Sequence, residues 1–232
     1  MRVPESLVAS LSREAERKAG DFKPQNIANT LWAVSVLDHA KLALSFFERV
    51  LQTGLSLSDA TFEAQHKSQF HQFFLTLHLA GCYPAHISGL KGFASECSRS
   101  FAAQSSLGAA SRLQRDVTAA IRRVLKEGWL GADVAIFEEA VVEDGGSYSV
   151  DVLFVGLPNG MRVVVEVDGP SHFLARSRIM RGSTKLKHRH LRSMGWDVVQ
   201  VPYYAWDELS HRKAQDAYIR ELLSKYAAAS SK

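Results

Sequence analysis

Two carboxylates stand two positions apart at the end of an apolar run. Residues 163–173 read VVVEVDGPSHF, in which Glu166 and Asp168 follow three valines. Because residues i and i+2 of a strand point to the same face, these side chains are expected side by side, about 7 Å apart. Such a pair of like charges is costly unless a cation, a metal ion or nucleic-acid chemistry uses it. The stretch therefore predicts a functional site.

Further carboxylates precede this stretch. The segments 134–143 and 147–157 alternate between apolar and polar residues around Asp144-Gly145-Gly146, a pattern that predicts a β-hairpin. Asp151 falls inside the second strand, and Glu138 or Glu139 falls on the first. A hard cation such as Mg²⁺ prefers oxygen ligands and would neutralise such a cluster. The alternative is a structural ion-pair network with Lys187 and the arginines. The candidate metal ligands are Asp151, Glu166 and Glu139, and the candidate catalytic residues are Asp151, Glu166, Asp168 and Lys187.

Positive charge follows directly behind the carboxylates. Residues 169–196 contain no Asp or Glu but seven Lys and Arg residues. A helix predicted from Thr184 to Met194 turns 100° per residue, which places Lys187 and His190 with the apolar inward face. Lys187 is thus expected to pair with Glu166 or Asp168, or to orient a phosphate or a water. The outward residues are then Lys185, His188, Arg189 and Arg192.

An outward basic stripe suits a phosphate backbone, although a merely solvated surface gives the same pattern. His172, directly after Gly-Pro-Ser, is either a phosphate contact or an ordinary loop residue. The candidate nucleic-acid-binding residues are His172, Lys185, Lys187, Arg189 and Arg192.

Composition sets the remaining bounds. The chain has 232 residues and a net charge of +4, and it has no apolar run of the roughly 18–20 residues that a membrane span needs. Cys82 and Cys97 lack paired spacing, which favours reduced thiols. No targeting segment is visible, and the N-terminus resembles the inside of a helical array, so a fragment or a late start is one interpretation.

The predicted elements define an α+β fold: an N-terminal α-helical repeat-like region, followed by a C-terminal α/β sandwich. The boundaries are residues 1–100 for the helical region, 101–110 for a linker and 111–228 for the second domain. Helices are predicted at 4–18, 24–37, 40–53, 58–80, 87–97, 112–127, 184–194 and 210–226, and strands at 134–143, 147–157, 161–169 and 196–204.

The motifs EVDGPSHF and TKLKHRHLRSMGWDVVQVPYYAWDEL closely resemble the RAP domain, an RNA-binding domain abundant in apicomplexans. The similarity covers about residues 109–226 and includes SRLQRDV at 111–117 and IFEEAVVEDGGSYSVDVLF at 136–154. FKPQNIANTLWAVSVL, at 22–37, resembles the octotricopeptide type of helical repeat found in organellar RNA proteins.

This resemblance implies a fold similar to PD-(D/E)XK nucleases, particularly the very-short-patch-repair type. Asp151 then matches the metal-binding Asp of the motif, and Glu166 matches its (D/E). Asp168 stands where the motif has lysine, and Lys187 is the candidate substitute from the following helix.

The resemblance also implies a role in organellar RNA metabolism, in transcript processing, stability or rRNA maturation. We expect a single-stranded transcript or rRNA as partner, protein partners through the N-terminal helices, and no membrane. The expected location is the mitochondrion, with the plastid as the alternative. Two other functions stay open: a Mg²⁺-dependent RNA endonuclease, and a helical scaffold that binds protein.

Overall fold

The structure is a computed structural model, and it describes residues 3–54, 62–105, 110–128, 130–131, 133–142 and 146–227. The described residues divide into two compact units: one consists of those up to Ser105 together with residues 146 and 147, and the other of those from 110 onward apart from these two. Helices precede a four-stranded sheet, which confirms the α+β class. None of the described helices is long and apolar enough to cross a membrane.

The first unit is helical because its phenylalanines recur at helical spacing and share one core. Phe46, Phe47, Phe70, Phe73 and Phe93 are fully buried there. Pro24 occupies the first turn of its helix, where a missing N–H is tolerated. The helices are α1 (Glu5–Arg17), α2 (Pro24–Val36), α3 (Leu44–Gln52), α4 (Ala64–Leu79) and α5 (Leu90–Ser105).

The end of α5 corrects the predicted linker. The sequence places the end of this helix at residue 97 and a linker at 101–110, whereas α5 continues to Ser105. Phe93, Cys97 and Phe101, each four residues apart, are all buried, so the apolar face of the helix continues for a turn beyond residue 97. Residues 106–109 lie outside the described part of the chain.

The second unit contains a four-stranded sheet in the order β1-β2-β3-β4. The first two pairings are antiparallel, and β3 pairs with β4 in parallel. The strands are β1 (Ala135–Val142), β2 (Tyr148–Val155), β3 (Val163–Asp168) and β4 (Asp197–Pro202), and the helices are α6 (Arg112–Leu125), α7 (Gly182–Ser193), α8 (Tyr203–Asp207) and α9 (Arg212–Leu223).

The final predicted strand is shorter than expected. Tyr203 and Tyr204 begin α8 instead of extending β4. Pro202 carries no N–H and cannot donate to a further ladder bond, so it ends the strand. The helical turn that follows buries Trp206 in the core of this unit.

The register of the sheet places the acidic side chains on the face opposite the apolar core of this unit. Val163, Val165 and Val167 of β3 belong to the core that also contains residues of α6 and α9. Glu166 and Asp168 alternate with them and therefore lie on the other face. Since Val152 of β2 lies opposite Val165, Asp151 lies beside Glu166.

Gly156 offers a test of the turn after β2. Its φ is +81°, and a Cβ there would clash with the carbonyl oxygen of Asp133. Gly160 has a similar φ of +66° but open space around it. We expect Gly156→Ala to lower the free energy of unfolding by about 3 kcal/mol, and Gly160→Ala by about 1 kcal/mol, in urea denaturation. Equal losses would contradict the close approach.

Candidate functional site: a buried acidic cluster beside a basic helix

The acidic cluster is buried because its strand is in the interior of the sheet. All six residues of β3 are buried, and Glu166 and Asp168 are 1% and 0% exposed. Three valines of this strand pack in the apolar core and fix its position. Glu166 and Asp168, which alternate with the valines, are therefore buried as well, although they are acidic. Burial at this depth requires compensation for each carboxylate.

Lys187 supplies the compensation for Glu166. Its Nζ lies 2.6 Å from Glu166 Oε2, and its side chain is only 22% exposed. Of the two carboxylates expected as partners of Lys187, Glu166 is the one that it contacts in the structure. The neighbouring Asp151 accepts a hydrogen bond at Oδ2 from the backbone N–H of Val167, at 2.6 Å. The cluster consists of two carboxylates from adjacent strands and one ammonium from α7.

Burial outweighs the ammonium in setting the acidity of these carboxyls. Desolvation raises the pKa of Glu166 to about 7, while the charge of Lys187 acts against that rise. The pKa of Asp151 is also raised by desolvation, and Lys187 and the Val167 N–H oppose the rise. The carboxylates of Asp151 and Asp168 raise the pKa of Glu166 further, as like charges in one site do.

Asp168 faces two histidines. Its Oδ1 lies 3.2 Å from Nδ1 of His172 and 3.8 Å from Nε2 of His188. Hydrogen bonding to Asp168 raises the pKa of His172, whereas burial lowers the pKa of His188 to about 4. His188 is therefore held neutral at pH 7. Thr184 Oγ1 lies 3.4 Å from the same nitrogen, His172 Nδ1.

The position of His188 corrects the predicted outward face of α7. The sequence places His188 with Lys185, Arg189 and Arg192 on the outward side, but the structure buries it to 1% exposure. The buried arc of α7 includes Thr184 and Leu191 as well, which makes it wider than the apolar residues alone indicate. A histidine is compatible with either face, so hydropathy could not locate it.

Lys185 and Arg192 are exposed as expected, and Arg189 is half-buried. The segment before α7 adds exposed arginines at positions 176, 178 and 181. Arg178 stacks over the ring of Tyr204 at 4.5 Å and bonds Oε1 of Glu208 at 3.1 Å. Sequence reasoning missed both this aromatic support and the bond between Tyr148 and His190, at 2.8 Å, because each joins distant parts of the chain.

Glu139 lies near the cluster but is engaged elsewhere. Its backbone has a φ of +50°, and its Oε1 accepts a hydrogen bond from Nε2 of Gln114. Gln114 belongs to the capping box that starts α6 at Ser111, so α6 fixes the position of this glutamate. Glu139 still raises the pKa of Asp151 electrostatically. Glu138, its alternative, pairs with Arg122 at 2.5 Å.

Two carboxylates of the cluster could hold a magnesium ion. Mg²⁺ is often held by one or two carboxylates, with water and substrate phosphate completing its coordination. Asp151 and Glu166 could supply the two, and Oε1 of Glu166 is buried without a hydrogen-bond partner in the described structure. Within the described ranges, no three His, Cys, Asp or Glu side chains form a group suited to a metal. A third protein ligand such as Glu139 stays a prediction.

The geometry defines an α/β domain with an acidic cluster on one sheet face and a basic helix beside it. Residues 165–222, from β3 into α9, match the family model described as RAP domain. This part of the chain is therefore similar to the RAP domain, as the motifs predicted. The match does not include α6 or the β1–β2 hairpin, which the sequence also assigned to the domain.

Proteins of plant and mammalian organelles are similar to this chain. Over 220 residues, 93% of the chain, it is 22% identical to a rice (Oryza sativa subsp. japonica) protein named RAP domain-containing protein, chloroplastic, and covers 32% of that protein. It is 39% identical over 62 residues to FAST kinase domain-containing protein 3, mitochondrial, of Rattus norvegicus, which is 27% of the chain and 10% of that protein. The corresponding human protein is 34% identical over 62 residues. The chain thus spans a third or less of these relatives.

The raised pKa of Glu166 predicts a pH-dependent stability. Between pH 4.5 and 7 the folded chain retains a proton at Glu166 that the unfolded chain releases, so this residue stabilises the fold less as the pH rises. Relative to Glu166→Gln, the wild type should lose about 3 kcal/mol of unfolding free energy between pH 4 and 8.

Urea denaturation at four pH values measures this difference. Glu221→Gln, at an exposed position on α9, is the matched control and should track the wild type. Parallel curves for wild type and Glu166→Gln would show that Glu166 has an ordinary pKa and would contradict the buried environment.

Proposed function

We propose that this chain is an RNA-binding protein of organellar RNA metabolism and that its RNA surface is the outer side of α7. The observation that carries the proposal is the two-sided charge of this helix. Lys187 turns inward to Glu166, while Lys185 and Arg192 face solvent, and no acidic residue occurs from 169 to 196 to neutralise them. Such a surface attracts a phosphate backbone through counterion release.

Support for the cellular setting comes from the relatives. The names of these relatives place the rice protein in the chloroplast and the FAST kinase proteins in the mitochondrion. We place the present chain in an organelle on that basis, with the mitochondrion as the specific proposal and the plastid as the alternative. Its role there would be in transcript processing, rRNA maturation or transcript stability, on single-stranded RNA.

A second candidate function is metal-dependent RNA cleavage. It is favoured by the unpartnered Oε1 of Glu166 next to Asp151, two carboxylates that could hold Mg²⁺. A bound Mg²⁺ ion would stabilise negative charge on a phosphate and activate water. Lys187 already pairs with Glu166, so it would have to share its ammonium between Glu166 and the phosphate. Asp168 cannot act as a motif lysine, since a carboxyl group supplies no positive charge to a phosphate.

Reversing the charge of Lys185, Arg189 and Arg192 to Glu should weaken binding of single-stranded RNA at least tenfold. The slope of log K against log salt should also become shallower, by about 0.7 for each phosphate that the variant no longer neutralises. Fluorescence anisotropy over a salt series measures both quantities.

The matched control reverses three exposed cations elsewhere in the second unit, Lys126, Arg212 and Lys213. It changes the net charge equally and should leave most of the affinity intact. If RNA affinity and crosslinking are unchanged in the α7 variant, the basic face is not the RNA surface, and a protein-binding role gains support.

Cleavage is tested by Asp151→Asn and Glu166→Gln. Under the nuclease hypothesis, both variants lose cleavage of labelled RNA in Mg²⁺ or Mn²⁺ while retaining RNA affinity, because neither residue lies on the exposed basic face. A wild-type chain that cuts no RNA in either metal would rule out this second function and leave the binding proposal intact.

A further inference from the structure

A pocket of about 450 Å³ lies on the side of α7 away from Lys187. Three of its lining residues, Lys185, His188 and Arg192, are spaced i, i+3 and i+7 along the helix, so they share one face. Gln200 of β4 also lines the pocket and lies opposite Glu166 in the β3–β4 ladder. The pocket is therefore next to the acidic cluster, and its volume is in the range of small-molecule sites.

His188 is the unusual residue of this pocket. It is 99% buried by side-chain exposure, and neither of its ring nitrogens has a hydrogen-bond partner within the described structure. A buried polar group without a partner carries a desolvation cost of about 1–3 kcal/mol. Asp168 lies 3.8 Å behind Nε2, too far for an ordinary bond. The ring is thus a polar group in the pocket for which a ligand could provide the missing hydrogen bond.

Residues 178–180, from the segment before α7, form the wall of the pocket that faces this helix and include one cation and two apolar side chains. Arg178 brings a third cation, held in place by the Tyr204 ring and by Glu208. A guanidinium has five donor hydrogens, so one bond to Glu208 leaves it able to bind an anion. Ile179 and Met180 add an apolar surface, and Ile179 is 57% exposed.

We infer that this pocket binds the terminal nucleotide of an RNA strand through its phosphomonoester. The phosphate would contact Lys185 and Arg192 and accept a hydrogen bond from His188, and the nucleoside would pack on Ile179 and Met180. This inference rests on the proposed RNA binding and specifies what part of the RNA the domain selects.

The charges favour an end over an internal phosphate. A phosphomonoester has a charge of about −1.5 to −2 at pH 7, whereas an internal phosphodiester carries −1. Lys185, Arg192 and Arg178 surround one pocket, and Glu208 neutralises only part of Arg178. The carboxylate of Asp168 opposes an anion, but the imidazole of His188 stands between them. Three cations match a dianion better than a single charge.

The experiment compares four RNAs of one sequence, with a phosphate or a hydroxyl at the 5′ end and at the 3′ end. Fluorescence anisotropy with the full chain should show about tenfold tighter binding when one particular end carries phosphate. The end that gives this effect shows whether the pocket takes a 5′-phosphate or a 3′-phosphate. Adenosine 5′- and 3′-monophosphate, titrated against the chain alone by calorimetry, test the pocket without the rest of the RNA.

Lys185→Gln and His188→Gln should bring the ratio between phosphate-ended and hydroxyl-ended RNA close to one. Lys185 is exposed, so its substitution leaves the fold intact even where that of His188 lowers the melting temperature. Lys126→Gln removes the same charge from an exposed site outside the pocket and should keep the ratio. The ratio, unlike the affinity, does not respond to a general loss of positive charge.

A ratio near one for the wild type, with hydroxyl-ended RNA still bound, would overturn the pocket and leave the RNA-binding proposal intact. Absence of binding by all four RNAs would overturn the RNA-binding proposal. In that case, mononucleotide binding that Lys185→Gln weakens would support the pocket, and its absence would overturn the pocket as well.

Discussion

The buried contact between Lys187 and Glu166 is the constraint on which the arrangement of this domain depends. Glu166 lies in the middle of a fully buried strand, and the 2.6 Å contact with Nζ is its partner of opposite charge. Removing one member of such a pair leaves an uncompensated buried charge and is strongly destabilising. The contact therefore fixes the rotation of α7 about its axis, because only one rotation directs Lys187 toward β3.

That rotation determines what the rest of the helix can do. With Lys187 turned toward the sheet, Lys185 and Arg192 face solvent, and His188 is turned toward Asp168. Residues of one short helix thus serve three environments: the acidic cluster, the solvent and the pocket. The preceding segment completes the pocket, since Arg178 is positioned by Tyr204 at the start of α8. The RAP match covers these elements together, from β3 to α9.

The electrostatics differ between Glu166, in the middle of β3, and Asp168, at its end. At Glu166 a lysine only partly offsets desolvation, and the pKa is raised to about 7. At Asp168 the partners are two imidazoles with opposite behaviour: the pKa of His172 is raised by the carboxylate, and that of His188 is lowered by burial. Neighbouring carboxylates on one strand therefore have different partners. Glu166 and Asp168 therefore belong to two separate sets of interactions, one with a lysine and one with two histidines.

The sequence by itself determined the strands, most helix boundaries and the shared face of Glu166 and Asp168, because these follow from local periods of 2 and 3.6 residues. It also identified the RAP motifs and the inward direction of Lys187. Tertiary structure decided the rest. It buried His188, tied Glu139 to Gln114 and extended α5 into the first half of the predicted linker. Each of these outcomes depends on which distant element packs against a residue, and the spacing of residues along one element does not contain that information.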